Sequence, residues 1–269
     1  MAWAVITGGS GGLGEAIAGA LAAKGFDVML VARGEVALEA VAARIGERYK
    51  VRTAVCAADL STPDGLARVE RTIEGLDDVK VLVNNAGFGN FGRMWEIDPE
   101  IEAESVRLNI GATLRLTRFV LPRMIAAGKG TVLNVASTAG FQPVPYFATY
   151  GGTKAFVVSF SEAVTAELAG NRISGVRVVA LCPGPMATGF QSRAGMGGHG
   201  YGMVPFETVA DVAAAAARAV EGGAGAMLTG WAGKLMVFLN RFTPRVVMLW
   251  SAERMFRPRR HKDKPLVTR

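Results

Sequence analysis

Tyr150 and Lys154 stand four residues apart in the stretch TYGGTKAF (149–156). On a helix that spacing places both side chains on one face. A free phenol titrates near pH 10 and is a poor acid or base at neutral pH. A neighbouring ammonium favours the phenolate and lowers its pKa. The pair therefore has the make-up of a tuned general acid/base. Taken alone it equally describes a packed aromatic beside a surface lysine. Ser137, thirteen residues before Tyr150, adds a hydroxyl at the end of an apolar run. It could hold a substrate oxygen beside the phenol, with Thr138 a less well matched substitute.

A second cluster is made of backbone. TGGSGGLG (7–14) has five glycines in eight residues, between an apolar run and a helix-like stretch. A bare turn at that junction lets an anion approach the helix N-terminus, where free N–H groups and the helix dipole favour negative charge. A tight turn without a ligand has the same composition.

The elements that must position these groups alternate along the chain. Strands are predicted over 2–7, 27–32, 51–57, 79–85, 130–137, 175–184 and 225–230. Helices are predicted over 12–25, 36–49, 63–76 (with Ser61 or Thr62 as N-cap), 99–127, 148–170 and 209–223. The strands are continuous apolar runs, the pattern of a parallel sheet buried on both faces. Alternating β and α elements predict a single doubly wound α/β domain over residues 1–230, with about seven parallel strands and helices on both faces. Residues 231–269 form a separate helical extension. The Gly-rich stretch 184–205 is too irregular for either element.

In order, TGGSGGLG, NNAG (84–87), Ser137, Tyr150-x-x-x-Lys154 and PGPMAT (183–188) resemble the short-chain dehydrogenase/reductase family, over about residues 2–230. The resemblance implies a Rossmann-type fold and a nicotinamide dinucleotide cofactor. It assigns cofactor contacts to Gly8, Ser10, Gly12, Leu13, Gly14, Asp59, Leu60, Asn85, Ala86, Gly87, Pro183, Gly184 and Thr188, as well as to Tyr150 and Lys154. Asn84 would steady the central sheet. The catalytic set it implies is Asn109, Ser137, Tyr150 and Lys154. In that set Tyr150 exchanges the proton, Ser137 stabilises the substrate oxygen, Lys154 binds the ribose and tunes the phenol, and Asn109 supports a relay water. Homo-oligomers through the long helices are also implied.

The second strand runs into Ala32 and Arg33, where a binder of the unphosphorylated cofactor usually carries an acid for the ribose 2′-hydroxyl. A guanidinium there pairs instead with a 2′-phosphate. The expected cofactor is NADP(H), with Glu35 near enough to weaken the preference. Segment 185–206 reads as a substrate lid, with Phe190, Met196, Tyr201, Met203 and Phe206 as an apolar cover facing FQPVPYF (141–147). The expected substrate is a largely apolar carbonyl or alcohol. The alternatives are a 3-oxoacyl thioester, or a catalytically silent dinucleotide-binding regulator or scaffold.

Composition sets the remaining expectations. The net charge of +7 lies wholly at the C-terminal end: residues 1–240 hold 21 basic and 21 acidic residues, residues 241–269 nine and two. That confinement speaks against nucleic-acid binding. The extension, rich in Met, Phe, Trp and Arg, reads first as an arm on its own or a partner subunit, and second as a peripheral membrane contact. Cys56 and Cys182 read as free thiols in a reducing cytoplasm. Two histidines, His199 and His261, make a metal site improbable, and none is expected. The opening residues do not read as a secretory leader.

Overall fold

The computed structural model describes residues 1–186, 189–196 and 206–258. Its elements, in chain order, are β1 (Trp3–Thr7), α1 (Gly12–Ala22), β2 (Asp27–Ala32), α2 (Glu35–Tyr49), β3 (Thr53–Ala57), α3 (Pro63–Glu74), β4 (Val79–Asn84), α4 (Pro99–Val106), a π-helical turn (Arg107–Ala112), α5 (Thr113–Ala126), β5 (Gly130–Val135), a 3₁₀ turn (Thr138–Phe141), α6 (Ala148–Gly170), β6 (Val176–Cys182), α7 (Gly189–Arg193), α8 (Val209–Gly222), β7 (Gly225–Leu228), α9 (Trp231–Asn240) and α10 (Arg245–Phe256).

The seven strands form one sheet in the order β3-β2-β1-β4-β5-β6-β7, every pair parallel. Successive residues of β1 enter opposite cores. Ala4 and Ile6 pack with α1, α2 and α8 on one face, while Trp3 and Val5 pack with α3 and α5 on the other. Burial on both faces explains why the strands read as unbroken apolar runs. A fully buried Ile or Leu such as Ile6 or Leu82 contributes about 2 kcal/mol. No described helix is long and apolar enough to cross a membrane.

Thr62 caps α3, its hydroxyl accepting from the Gly65 N–H at 3.1 Å. The helical stretch predicted over 99–127 runs unbroken from α4 to α5, and the turn between them that carries Asn109 is π-helical. The strand predicted to reach Ser137 ends at Val135, and Ser137 caps the 3₁₀ turn.

A buried polar chain ties the sheet to α6. The Asn84 amide donates to Thr117 Oγ1 at 3.1 Å and to Asn134 Oδ1 at 2.8 Å, and Asn134 donates to Ser161 Oγ at 3.0 Å. All four side chains are buried, so each bond satisfies groups that water cannot reach. The chain thereby fixes α6, the helix of Tyr150 and Lys154, against β4 and β5.

Candidate active site

β1 and β4 are neighbours, and the strand order reverses between them. In an open α/β sheet ligands bind at the carboxyl ends of the strands at such a point. The glycine turn leaves the end of β1 and NNAG leaves the end of β4. Thr7 binds the two together: its hydroxyl donates to Val83 O at 3.2 Å and accepts from Asn85 N at 2.9 Å and Ala86 N at 3.0 Å. The Asn85 amide returns a bond to Thr7 O at 2.8 Å. Thr7 was not among the sequence-assigned site residues; it is the residue that holds those two loops in register.

The glycines divide into two kinds. A Cβ on Gly14 would lie 2.1 Å from the Gly8 carbonyl oxygen, so Gly14 is required by backbone packing. Gly11 has extended φ and open space around it. Gly12, at φ +58°, meets no neighbour and turns the chain into α1.

Above the strand ends runs a cleft of about 1170 Å³. Its walls include Gly8, Ser10, Gly12, Leu13, Gly14, Arg33, Asp59, Leu60, Asn85, Ala86, Gly87, Ser137, Tyr150, Lys154, Pro183 and Gly184, sixteen of the positions assigned from sequence. Asn109 is not among them. It is 2% exposed behind the wall, where it donates to Phe88 O (2.8 Å) and Thr153 Oγ1 (3.0 Å) and accepts from Phe88 N (3.1 Å). Thr188 lies outside the described residues, as do Tyr201, Met203, His199 and His261.

At one end of the cleft, Asp59 accepts from the Ser61 hydroxyl and N–H at 2.7 and 2.9 Å. Burial pushes its carboxyl up, but those two bonds and the Arg33 charge bring it below its ordinary value. Arg33 is 74% exposed and pairs with Glu104 of α4, Nη1 to Oε1 3.6 Å. Sequence spacing gave no sign of Glu104, the acid that pairs with this arginine.

At the other end Tyr150 stacks on Phe147 with ring centroids 4.4 Å apart, and Phe190 of α7 tilts over it at 5.3 Å. Gly89 makes room for this: a Cβ there would come within 2.8 Å of both Tyr150 and Phe147. Lys154 Nζ lies 5.6 Å from the Tyr150 ring centroid and donates to Val135 O at 2.7 Å. Burial lowers its ammonium to about 8, so it is charged at neutral pH. An ammonium has three donors, which leaves two for a ligand or for Tyr150. Ser137 Oγ accepts from Ala139 N at 3.1 Å and makes a long 3.5 Å contact with Pro183 O, so its proton can turn to a better acceptor in the cleft. Thr138 also lines the cleft; it is buried, with its methyl toward Gly233 of α9.

Glu207, also missed from sequence, accepts from Gly184 N at 2.8 Å and holds the PGP loop in place. Cys182 lies close to Lys154, but burial pushes its thiol up to about 12, so it is no nucleophile. Among the described residues no group of His, Cys, Asp and Glu could hold a metal ion.

The extension closes the cleft. Asn240 of α9 donates to Gln142 Oε1 at 2.8 Å, Tyr146 Oη donates to Glu253 Oε1 at 2.6 Å, and Phe256 of α10 is buried with Val144 and Phe147. The described part of the extension thus packs on its own chain. Phe190 and Met196 join that cluster, whereas Phe206 is half exposed and outside the cleft lining.

Comparison with known proteins agrees with this architecture. Residues 2–196 match the family model for short chain dehydrogenase. A very-long-chain 3-oxoacyl-CoA reductase of Laccaria bicolor is 43% identical over 176 residues, 64% of this chain and 52% of that protein. Very-long-chain 3-oxoacyl-CoA reductase-B of Danio rerio is 38% identical over 169 residues, 61% of this chain and 54% of that protein. The chain spans about half the length of these curated relatives. A short-chain dehydrogenase from Sphingobium yanoikuyae in complex with NADPH superposes with a TM-score of 0.79 at 30% identity, covering 90% of this chain and 94% of that one. With a seven-stranded parallel sheet, a glycine turn at its switch point and a Tyr-Lys pair over the cleft, the chain belongs to the short-chain dehydrogenase family.

Proposed function

We propose that this chain is an NADP(H)-dependent oxidoreductase that interconverts a largely apolar carbonyl compound and its alcohol, with Tyr150 as general acid/base. The observation that carries it is that Ser137, Tyr150 and Lys154 line one cleft, with the buried Lys154 ammonium 5.6 Å from the Tyr150 ring centroid.

The residues present fit the cofactor. The glycine turn offers bare backbone at the N-terminus of α1, where a pyrophosphate is favoured. Asp59, Leu60 and Arg33 line the end where an adenosine 2′-phosphate would lie; Asn85, Ala86, Gly87, Pro183 and Gly184 line the length between. The NADPH complex of the similar Sphingobium protein supports the phosphorylated form. When bound, the nicotinamide supplies or takes up a hydride at the substrate carbon. Tyr150 gives its proton to the substrate oxygen in reduction and removes it in oxidation. Lys154, charged below about pH 8, favours the phenolate that this exchange requires. Ser137 turns its hydroxyl to the same oxygen. Asn109 acts at one remove: with Gly87 it walls the space beside Lys154, a Cβ on Gly87 lying 2.8 Å from Asn109 Oδ1 and 3.7 Å from Lys154 Nζ.

Beyond Tyr150 the cleft continues beneath the extension, past Leu235, Met236, Leu239, Met248 and Met255. An apolar chain fits there, and the names of the curated relatives favour a 3-oxoacyl thioester within this substrate class. Residues 1–230 would be the catalytic domain, with α9 and α10 adding a wall. Exposed Ile101, Val106, Leu114 and Ile125 along α4 and α5 support self-association through these helices. Cys56 and Cys182, both free and buried, support a reducing, cytoplasmic setting.

The test is NADPH consumption over ketones, aldehydes, steroids and acyl thioesters. Tyr150→Phe should lower turnover at least about a hundredfold and leave dinucleotide affinity nearly unchanged. Full activity in that variant would remove the role given to Tyr150. A native chain that binds NADPH yet reduces nothing would instead be the silent dinucleotide-binding protein.

A further inference from the structure

The outer face of the extension is unlike the rest of the surface. Trp231, Leu235 and Phe238 of α9, and Phe242 in the turn after it, are all exposed, Trp231 and Phe242 at 71%. On α10, Val246, Val247, Leu249 and Trp250 are exposed as well, Trp250 at 57%. The inner faces of both helices are already occupied by Gly233, Val237, Ala252 and Phe256, which are buried on the body. Apolar residues therefore cover both sides of two short helices, and among the described residues only one side is buried on the body.

The charge around this face has a single sign. Residues 231–258 carry Lys234, Arg241, Arg245, Arg254 and Arg257 against one acid, Glu253, and that acid is engaged by Arg257 and Tyr146. Arg254 lies over the Trp250 ring at 4.4 Å, so a cation and an indole present one surface together. Arg245 opens α10, where a positive charge opposes the helix dipole, so helix stability does not account for it. The sequence then adds five basic residues and one acid over 259–269.

We propose that the α9–α10 face docks on an anionic lipid surface, the aromatic and aliphatic side chains entering the headgroup boundary and the arginines meeting lipid phosphates. A second copy of the chain is disfavoured by the same charges. A two-fold contact through this face would bring Arg241, Arg245 and Arg254 of both copies into one interface, where the only acid of residues 231–258, Glu253, is already engaged. Trp231, Leu235, Leu239 and Met255 belong both to this face and to the cleft lining. The cleft mouth thus opens where the bilayer would lie, and an apolar substrate would enter from the lipid. This last step rests on the proposed oxidoreductase activity; the docking does not.

The experiment is flotation of the full chain with vesicles of phosphatidylcholine alone, and with vesicles in which a third is phosphatidylglycerol. Binding to the anionic vesicles should be at least about tenfold stronger and should weaken with salt. Phe242→Ser/Val246→Ser/Trp250→Ser should lower it at least about tenfold, with NADPH affinity kept as the sign of an intact body. Arg241→Glu/Arg245→Glu, wholly on the surface, should remove the anionic preference even if the triple variant fails to fold. Absent binding, equal binding to neutral vesicles, or variants that bind like the parent would overturn the proposal. So would a parent dimer, seen by light scattering, that the triple variant converts to monomer while neither floats.

Discussion

At the glycine-turn end of the cleft nearly every polar contact has backbone on one side; beneath α10 the contacts run between side chains. Thr7 and Asn85 bind the turn to NNAG through the carbonyl oxygens and N–H groups of Thr7, Val83, Asn85 and Ala86. The aromatic end rests on Phe147 against Tyr150, Tyr146 against Glu253 and Asn240 against Gln142, the last two pairs 107 and 98 residues apart in sequence. A backbone-built site tolerates few residue types, because only glycine allows the approach. A side-chain-built site can be made from many combinations. The first end is therefore free to keep one ligand, and the second to change its substrate by changing aromatic and aliphatic residues.

The sharpest way to break that contrast is at Gly14. Gly14→Ala sets a methyl 2.1 Å from the Gly8 carbonyl oxygen and 2.7 Å from the Asn85 amide nitrogen. The Gly8 contact is backbone, so relief requires the glycine turn or α1 to move. Thermal denaturation should show a loss of at least about 3 kcal/mol, and dinucleotide binding should disappear with it. Gly11→Ala, at extended φ and with open space, should keep its melting temperature. Equal melting temperatures for the two variants would refute the division of the glycines into packed and open ones.

The same contrast explains what was legible in the sequence. The sheet, α6 and the turn were read to within a few residues, because buried parallel strands and glycine turns leave strong local patterns. Tyr150, Lys154 and Ser137 were legible as an ordered set. The π-helical turn was not, since nothing in RLNIGA distinguishes it from α-helix; its effect is to aim Asn109 back at Phe88. Glu104, Glu207, Gly89 and the Tyr146–Glu253 contact were also missed. Each takes its role from a partner supplied by the fold from a distant part of the chain. Tyr146 adds a strained φ of +64°, a conformation its residue type does not announce.

Arg33 joins the two materials, a side-chain device at the backbone-built end. Arg33→Ala should shrink the ratio of NADPH to NADH kcat/KM roughly tenfold, about 1.4 kcal/mol. Exposure of the guanidinium screens it and limits the effect. Glu104→Gln should move the ratio the other way, since the carboxylate 3.6 Å from Arg33 competes with a 2′-phosphate for the same fork. A parent that prefers NADH, or an unchanged ratio in both variants, would separate Arg33 from cofactor choice.

The smallest effect belongs to the aromatic end, at the contact that seats α10. Hydrogen bonds from Arg257 and then Tyr146 hold the Glu253 carboxyl down to about 2, against 4.5 for the unperturbed group. A carboxylate whose pKa falls on folding adds stability that is complete above pH 4.5 and is lost as pH falls toward 2. The Glu253 bond and burial raise the Tyr146 phenol above its ordinary 10.0, so its share fades again in strong alkali. Glu253→Gln should therefore be less stable than the parent by a constant margin between pH 5 and 9, and the margin should close on acidification, as followed by urea denaturation. Because α10 joins the cluster around Tyr150 through Phe256, beside Phe147, both this variant and Tyr146→Phe should raise KM for a long apolar substrate while leaving kcat for a short one unchanged. A fall in kcat on the short substrate would mean that the arm positions the phenol itself, and the two ends of the cleft would no longer be separable.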